Sequence, residues 1–283
     1  NSKPSQYLKA LGFGQSSELT VPGMDDAIDA GARDKRVQAL SLFLGDSHFD
    51  ISDLQELRAA IMRFRASGKP VSAYADSFGG NGSGLGLYYL ASASTDIWMQ
   101  PVGVVAIPGM SAQLPFFRGL FEKVGIQPQF FQRKEYKTAM EHFTSREMSP
   151  QSREQMEELV KELGDQIAGP IKTDRKQVSQ NFQDLIDQGL FTDEEALKLG
   201  LVDHLDYRDV YVATVRKSVG GDDKARTPDF VTLEQYASVP AQKARTHSPK
   251  VARITVEGMI VEGSGGGSPL GMQEKMATSG DIA

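Results

Sequence analysis

Short apolar segments alternate with helical segments along most of this chain, and this alternation is the feature that most constrains its fold. Residues 38–44 and 71–75 are apolar and are bounded by turn residues, as buried strands are. Between them a helix is predicted from Ser52, which forms a capping box with Gln55, to a stop at Gly68. The pattern predicts a layered α/β domain.

The same signals predict the elements that follow. They are strands at 97–99, 102–107 and 130–133, a helix through 87–91, a helix at 115–124 closed by Gly125, a long helix capped by Ser149 with Pro150 in its first turn, and a short helix from Thr192 to Gly200 with Glu195 completing a capping box. An apolar stripe is predicted along the long helix, formed by Met156, Leu159, Val160, Leu163 and Ile167.

The composition changes after the first two hundred residues and divides the chain into three parts. Residues 1–217 carry the α/β pattern, whereas residues 218–249 are polar, contain three prolines and are predicted to be a connector. A new strand is predicted at 251–261, before a glycine-rich stretch. Residues 250–283 are therefore expected to begin a second unit.

Charge and composition exclude several classes of function. The net charge of −6 argues against nucleic acid as a partner, since a surface that follows phosphates is basic. The absence of cysteine excludes thiol catalysis, disulfides and cysteine-ligated metals. The longest apolar runs are far shorter than the roughly 18 residues of a spanning helix, so any membrane anchor is expected outside this chain.

No cofactor or metal is predicted from the motifs. The glycine-rich loop at 79–84 lacks both the dinucleotide-binding spacing and a following Gly-Lys-Ser/Thr, so it is interpreted as a turn with closely packed backbone. No two histidines have the spacing of a metal site; they are His48, His142, His204 and His247.

Lys137 is the residue with the strongest claim to chemistry. It follows the aromatic residues Phe130, Phe131 and Tyr136. A lysine in such surroundings loses hydration of its charged form, so its pKa falls and it can act as a base. The spacing alone equally fits a surface lysine whose aliphatic stem lies along apolar groups, as it does for Lys134.

The segment around Lys137 resembles bacterial signal peptide peptidase A (protease IV), in its long, two-copy form. The resemblance is carried by Glu135-Tyr136-Lys137-Thr138-Ala139-Met140-Glu141-His142-Phe143, Met148-Ser149-Pro150, Ser67-Gly68-Lys69-Pro70-Val71, Tyr88-Tyr89-Leu90-Ala91-Ser92, Ile97-Trp98, Pro101-x-Gly103 and Glu195-Ala196-x-x-x-Gly200-Leu201-Val202-Asp203. These segments occur in the family's order over nearly the whole chain. The sequence departs from the family at His142, where proline is common, and in a longer glycine loop.

The resemblance implies a ClpP/crotonase-like fold of repeated β-β-α units and a serine endopeptidase with a Ser/Lys dyad. Residues 1–217 match the N-terminal copy, and Lys137 matches its general base. The family degrades cleaved signal peptides as a homotetramer at the periplasmic face of the inner membrane, without a cofactor. The nucleophile belongs to the second copy and is expected beyond Ala283. This chain alone is therefore expected to be inactive, with Lys137 partly exposed for want of the second copy.

Two other functions remain open from the residues. Ser47 has no following glycines to donate oxyanion N–H groups, so it is not predicted to be a nucleophile. The domain is alternatively a non-catalytic ClpP/crotonase-like scaffold for assembly or peptide binding. The fold also permits an acyl-CoA enzyme of the crotonase type, but the sequence lacks its acidic catalytic residues.

Overall fold

A computed structural model describes residues 19–45, 49–80, 83–178, 181–220, 230–238, 259–261 and 276–278. The chain divides into two compact units, residues 1–239 and 240–283. Within the described residues, no helix has both the length and the apolar character needed to cross a membrane.

A parallel sheet forms the centre of the first unit. In the described residues it contains strands β1 (Leu40–Leu44), β2 (Val71–Ala75), β3 (Asp96–Met99) and β6 (His204–Leu205), in the order β1-β2-β3-β6. In register, Leu42 lies opposite Ala73, which lies opposite Ile97. A parallel sheet needs a crossover between neighbouring strands, and helices supply it here. The layered α/β prediction is confirmed.

A small antiparallel pair lies beside this sheet. It is formed by β4 (Val104–Ala106) and β5 (Leu190–Thr192), with Val105 opposite Phe191. A single parallel bridge from Phe78 to Val105 connects the loop after β2 to this pair. Both Phe78 and Phe191 are fully buried, so the two layers share one core.

The described part of the first unit also contains ten helices. They are α1 (Val21–Arg33), α2 (Ile51–Ala66), α3 (Leu85–Ala91), α4 (Arg118–Lys123), α5 (Glu141–Thr144), α6 (Pro150–Asp174), α7 (Phe182–Gln188), α8 (Asp193–Leu199), α9 (Arg208–Ser218) and α10 (Leu233–Ser238). The capping box of Thr192 with Glu195 is present at α8, which ends at Gly200 in the left-handed conformation. Gly200 therefore ends the helix as the sequence predicts.

The buried apolar residues of the long helix α6, Ile167 and Ile171, lie toward its C-terminal end. Ser149 caps it by accepting the Ser152 N–H at 3.1 Å, as predicted. Of the predicted apolar stripe, Ile167 is buried but Leu159 is 50% exposed. The helix has 25 residues and spans about 37 Å at 1.5 Å per residue. Its N-terminal half thus extends past the core that buries its other end.

Two ion pairs, each with a buried guanidinium group, hold the C-terminal end of α6. Asp174 forms an ion pair with Arg58 of α2, whose guanidinium is buried. The next residue, Arg175, donates to both carboxylate oxygens of Asp203, at 2.8 and 3.0 Å, and to the Gly200 carbonyl at 2.6 Å. Adjacent residues of opposite charge thereby bind two different parts of the core.

Three local predictions are wrong. Residues 130–133 form no strand, because no described strand lies alongside them to complete a hydrogen-bonded ladder. The helix predicted at 115–124 spans only Arg118–Lys123. Helix α2 begins at Ile51 with Asp50 at its N-cap position and without a side-chain cap, so the capping box of Ser52 and Gln55 is absent.

Part of the predicted connector packs on the first unit. Tyr236 of α10 donates its hydroxyl to Asp34 at 3.1 Å, and the Phe230 ring meets the Phe43 ring edge-on with centroids 6.3 Å apart. Residues 221–229 and 239–249 of this connector lie outside the described residues. The boundaries 1–217, 218–249 and 250–283 stay a prediction.

The second unit is described by two strands. β7 (Met259–Val261) pairs in parallel with β8 (Met276–Thr278), and Ile260 lies opposite Ala277. The end of the predicted strand 251–261 is therefore a strand, whereas residues 251–258 lie outside the described part of the chain.

Candidate active site

Lys137 lies in a long segment between β4 and α6 that contributes little to the core. The segment contains the short helices α4 and α5, and an aromatic cluster holds it together. The Phe143 ring stacks with those of Phe117, Phe121 and Phe130, with centroids 6.2, 6.1 and 5.7 Å apart. Aromatic pairs at such separations attract one another beyond the area they bury. The cluster stabilises both sides of the segment that carries Lys137.

Polar contacts from α5 complete this support. The Phe117 N–H donates to the His142 carbonyl at 2.7 Å, and His142 Nδ1 donates to the Pro115 carbonyl at 2.9 Å. A carbonyl can only accept, so Nδ1 carries the hydrogen. The Glu141 carboxylate accepts the Ser149 N–H at 3.1 Å, directly before α6 begins. The motif residues around Lys137 therefore have structural contacts of their own.

The backbone at Lys137 forms a tight turn. Its N–H donates to the Lys134 carbonyl at 3.4 Å, and Lys134 has a left-handed φ of 76°. The Lys137 side chain is exposed, and it makes no hydrogen bond or ion pair with any residue that the structure describes. The sequence predicts that Lys137 is partly exposed, and in the structure it is exposed.

The aromatic residues before Lys137 do not bury it within the described chain. Phe131 is fully exposed, and Phe130 and Tyr136 are each about half exposed. The desolvation expected from these residues is therefore absent here. Lys134 and Lys123 are also exposed, so burial does not distinguish Lys137 from them.

The residues on both sides of Lys137 bind α6. The Tyr136 hydroxyl donates to Glu154 Oε2 at 2.9 Å, and the Thr138 hydroxyl donates to Gln155 Oε1 at 3.3 Å. The hydrogen bond to Glu154 and the charge of that carboxylate raise the pKa of Tyr136 above its ordinary value. Glu154 and Gln155 were not identified from the sequence, because no local spacing connects them to Tyr136 and Thr138, which lie 18 and 17 positions earlier.

Two other candidate features have structural explanations. The Gly84 N–H donates to the Ala106 carbonyl at 2.6 Å, and a Cβ at Gly84 would overlap the Phe78 carbonyl. Close backbone packing therefore requires this glycine of the loop before α3, as predicted. His204 pairs with Asp96 at 2.9 Å and stacks on Trp98, with ring centroids 4.1 Å apart.

The remaining sequence candidates have no structural description. Ser47 and His48 lie outside the described residues, as does His247. Among the residues that are described, no three His, Asp or Glu side chains form a group that could hold a metal ion.

Comparison with known proteins places the chain in a peptidase family. Residues 63–221, more than half of the chain, match peptidase family S49. Protease 4 from Salmonella typhi is 30% identical over 256 residues, which are 86% of this chain and 37% of that protein. Protease 4 from Haemophilus influenzae is 29% identical over 253 residues, which cover 84% of this chain and 39% of the relative.

A plant protein is similar over much of the same length. The chloroplastic serine protease SPPA of Arabidopsis thaliana is 24% identical over 224 residues, which are 79% of this chain and 32% of that protein. The chain thus spans between about a third and two-fifths of the curated relatives that it matches.

Two solved structures align with the chain at low similarity. A peptidase from Plasmodium falciparum (9% identity, 66% of this chain, 89% of that one) aligns with a TM-score of 0.38. ThnE from S. clavuligerus (14% identity, 77% and 81%) aligns with a TM-score of 0.39. The match to the family covers more than half of the chain, and the layered α/β architecture with its parallel sheet agrees with it. The chain belongs to peptidase family S49 and has a ClpP/crotonase-like fold.

Proposed function

We propose that this chain supplies the general-base lysine, Lys137, of a serine endopeptidase with a Ser/Lys dyad. The observation that carries the proposal is the placement of Lys137 inside the S49 region, exposed and without a partner among the described residues. Its backbone is fixed by an aromatic cluster and by α6, whereas its amine remains available to a group from elsewhere.

In the proposed reaction, the amine of Lys137 takes the proton of a serine hydroxyl, and the serine oxygen attacks the peptide carbonyl. The lysine then returns a proton to the leaving amine. An amine accepts a proton only when it is neutral, and an ordinary lysine titrates near 10.4. Desolvation must therefore come from surfaces that cover Lys137 in the complete enzyme.

We propose that a second copy of the fold supplies both the serine and the surface that covers Lys137. Residues 1–217 would form the first copy, 218–249 the connector and 250–283 the start of the second copy. The parallel pairing of β7 with β8 supports this division, because parallel strands, which need a crossover connection between them, are typical of α/β units. On this proposal, residues 1–283 alone have no peptidase activity.

Cleaved signal peptides are the proposed substrates, at the periplasmic face of the bacterial inner membrane. We also propose self-association into a homotetramer. Exposed apolar side chains of the segment that carries Lys137 support both proposals; they are Leu120, Val124, Ile126, Phe130 and Phe131. An exposed apolar patch suits an apolar peptide or another subunit. Light scattering of the full-length protein would test the assembly, and a monomer at working concentration would contradict it.

Peptide hydrolysis by the full-length polypeptide tests the role of Lys137. Lys137→Ala should abolish turnover and leave assembly intact. Lys134→Ala is the matched control, since Lys134 is an exposed lysine of the same turn, and it should retain activity. Residues 1–283 alone should be inactive. Turnover by Lys137→Ala would contradict the dyad and would favour a scaffold role for this copy.

A further inference from the structure

The turn that carries Lys137 has little structure of its own. Between the end of α4 at Lys123 and the start of α5 at Glu141, the described chain contains neither helix nor strand. The backbone hydrogen bond from Lys137 to Lys134 is long, at 3.4 Å. A catalytic amine must be held far more closely than such a loop allows by itself.

Two hydrogen bonds connect this turn to consecutive residues of α6. Tyr136, directly before Lys137, donates to Glu154 at 2.9 Å. Thr138, directly after it, donates to Gln155 at 3.3 Å. Because both neighbours of Lys137 bind the same helix, its backbone is fixed relative to α6 from both sides.

Helix α6 is itself anchored at both ends. At its C-terminal end, Asp174 and Arg175 form ion pairs with buried or largely buried partners in the core. At its N-terminal end, Ser149 accepts the Ser152 N–H, and the Glu141 carboxylate accepts the Ser149 N–H. The helix therefore connects the core rigidly to the turn at Lys137.

We propose that Glu154 and Gln155 are positioning residues for Lys137. They act through Tyr136 and Thr138 and hold the lysine at a fixed place above α6. This inference rests on the proposed role of Lys137 as the general base, and it assigns a task to two residues outside that role. The hydrogen bonds lie at the surface, so their loss should affect catalysis much more than folding.

Steady-state kinetics of the full-length polypeptide test the inference. Glu154→Ala removes the acceptor of the Tyr136 hydroxyl, and Tyr136→Phe removes the donor. Each should lower kcat by about 10- to 100-fold with KM unchanged, the usual consequence of misplacing a catalytic group by about 1 Å. Thr138→Val should cause a smaller loss, because its hydrogen bond is longer. All variants should keep the wild-type unfolding midpoint.

Two further variants separate positioning from charge. Glu154→Gln keeps a side-chain oxygen that can accept the hydrogen bond from the Tyr136 hydroxyl, so this variant should retain most of the wild-type kcat. The double variant of Tyr136→Phe with Glu154→Ala should have the same kcat as the single variants, since both substitutions remove the same hydrogen bond. Glu158→Ala, an exposed carboxylate on the same helix, is the control and should match the wild type.

The outcomes distinguish this inference from the proposed function. If Lys137→Ala retains turnover, the proposed base is wrong. If Lys137→Ala is inactive while Tyr136→Phe and Glu154→Ala match Glu158→Ala, the base stands and the positioning inference is wrong. A Glu154→Gln variant as slow as Glu154→Ala would also overturn positioning through this hydrogen bond. Should Glu154→Ala fail to fold, Tyr136→Phe tests the same bond.

Discussion

The ion pair of Arg175 and Asp203 should be costly to break from one side, because the Arg175 guanidinium is buried. The Arg175 side chain is 2% exposed and that of Asp203 is 23% exposed. Asp203 also accepts the Ile97 N–H of β3 at 2.8 Å. Asp203→Ala therefore leaves a buried guanidinium without its carboxylate and a strand N–H without its acceptor. A one-sided break of a buried pair costs about 3–5 kcal/mol.

Urea unfolding followed by tryptophan fluorescence measures this loss. Trp98, the single tryptophan, is buried in β3 next to Ile97, whose N–H donates to Asp203, and it reports on the first unit. Asp203→Ala should lower the free energy of unfolding by about 3–5 kcal/mol. Asp165→Ala is the control, because it breaks an exposed ion pair with Lys161 on the same helix and should leave the midpoint unchanged.

A paired substitution checks the cause of the loss. Arg175→Met combined with Asp203→Leu removes both charges and should regain part of the stability, because no unpaired charge remains buried. The recovery should be incomplete, since the Ile97 N–H still lacks its acceptor. If Asp203→Ala shifts the midpoint no more than Asp165→Ala does, the pair does not anchor α6 and the reasoning is refuted.

Three further outcomes follow from the same core. Burial opposes ionisation of Asp203, but the hydrogen bonds and charge of Arg175 prevail and lower the pKa of this carboxyl group. The stabilisation that ionised Asp203 contributes should therefore be present above about pH 4 and be lost as the pH falls further. Asp203→Asn should flatten the acid side of a plot of unfolding free energy against pH. Gly84→Ala should lower the melting temperature in calorimetry, because the added Cβ overlaps the Phe78 carbonyl; an unchanged value would contradict the close packing. Tyr88→Phe removes a fully buried hydrogen bond of 2.7 Å to a backbone carbonyl and should cost about 1 kcal/mol or more in urea unfolding.

Elements whose signals are local were predictable from the sequence. The strand 71–75 was predicted with the bounds of β2, because an apolar run between turn residues needs only a neighbouring strand to pair with. Ser149 and Thr192 cap α6 and α8 as predicted, since a cap depends on side chains within one helical turn.

Elements that depend on distant partners were not predictable. Residues 130–133 have the composition of a strand but no strand of the described part of the chain beside them, and the Phe130 ring packs on Phe143 instead. Of the expected stripe of α6 only Ile167 is buried and Leu159 is 50% exposed, because apolar spacing identifies a face but not what covers it. At the site, the motif identified Lys137, whereas its connection to Glu154 depends on how the turn packs on the helix.

The pH dependence of kcat/KM for Lys137→Arg in the full-length polypeptide shows whether Lys137 is the general base. A guanidinium stays protonated at every accessible pH and cannot accept the serine proton, although it keeps the positive charge and length of the side chain. The account predicts no measurable turnover at any pH in a variant that folds and assembles normally. Near-normal activity with an unchanged pH profile would show that Lys137 is structural and that the dyad is wrong.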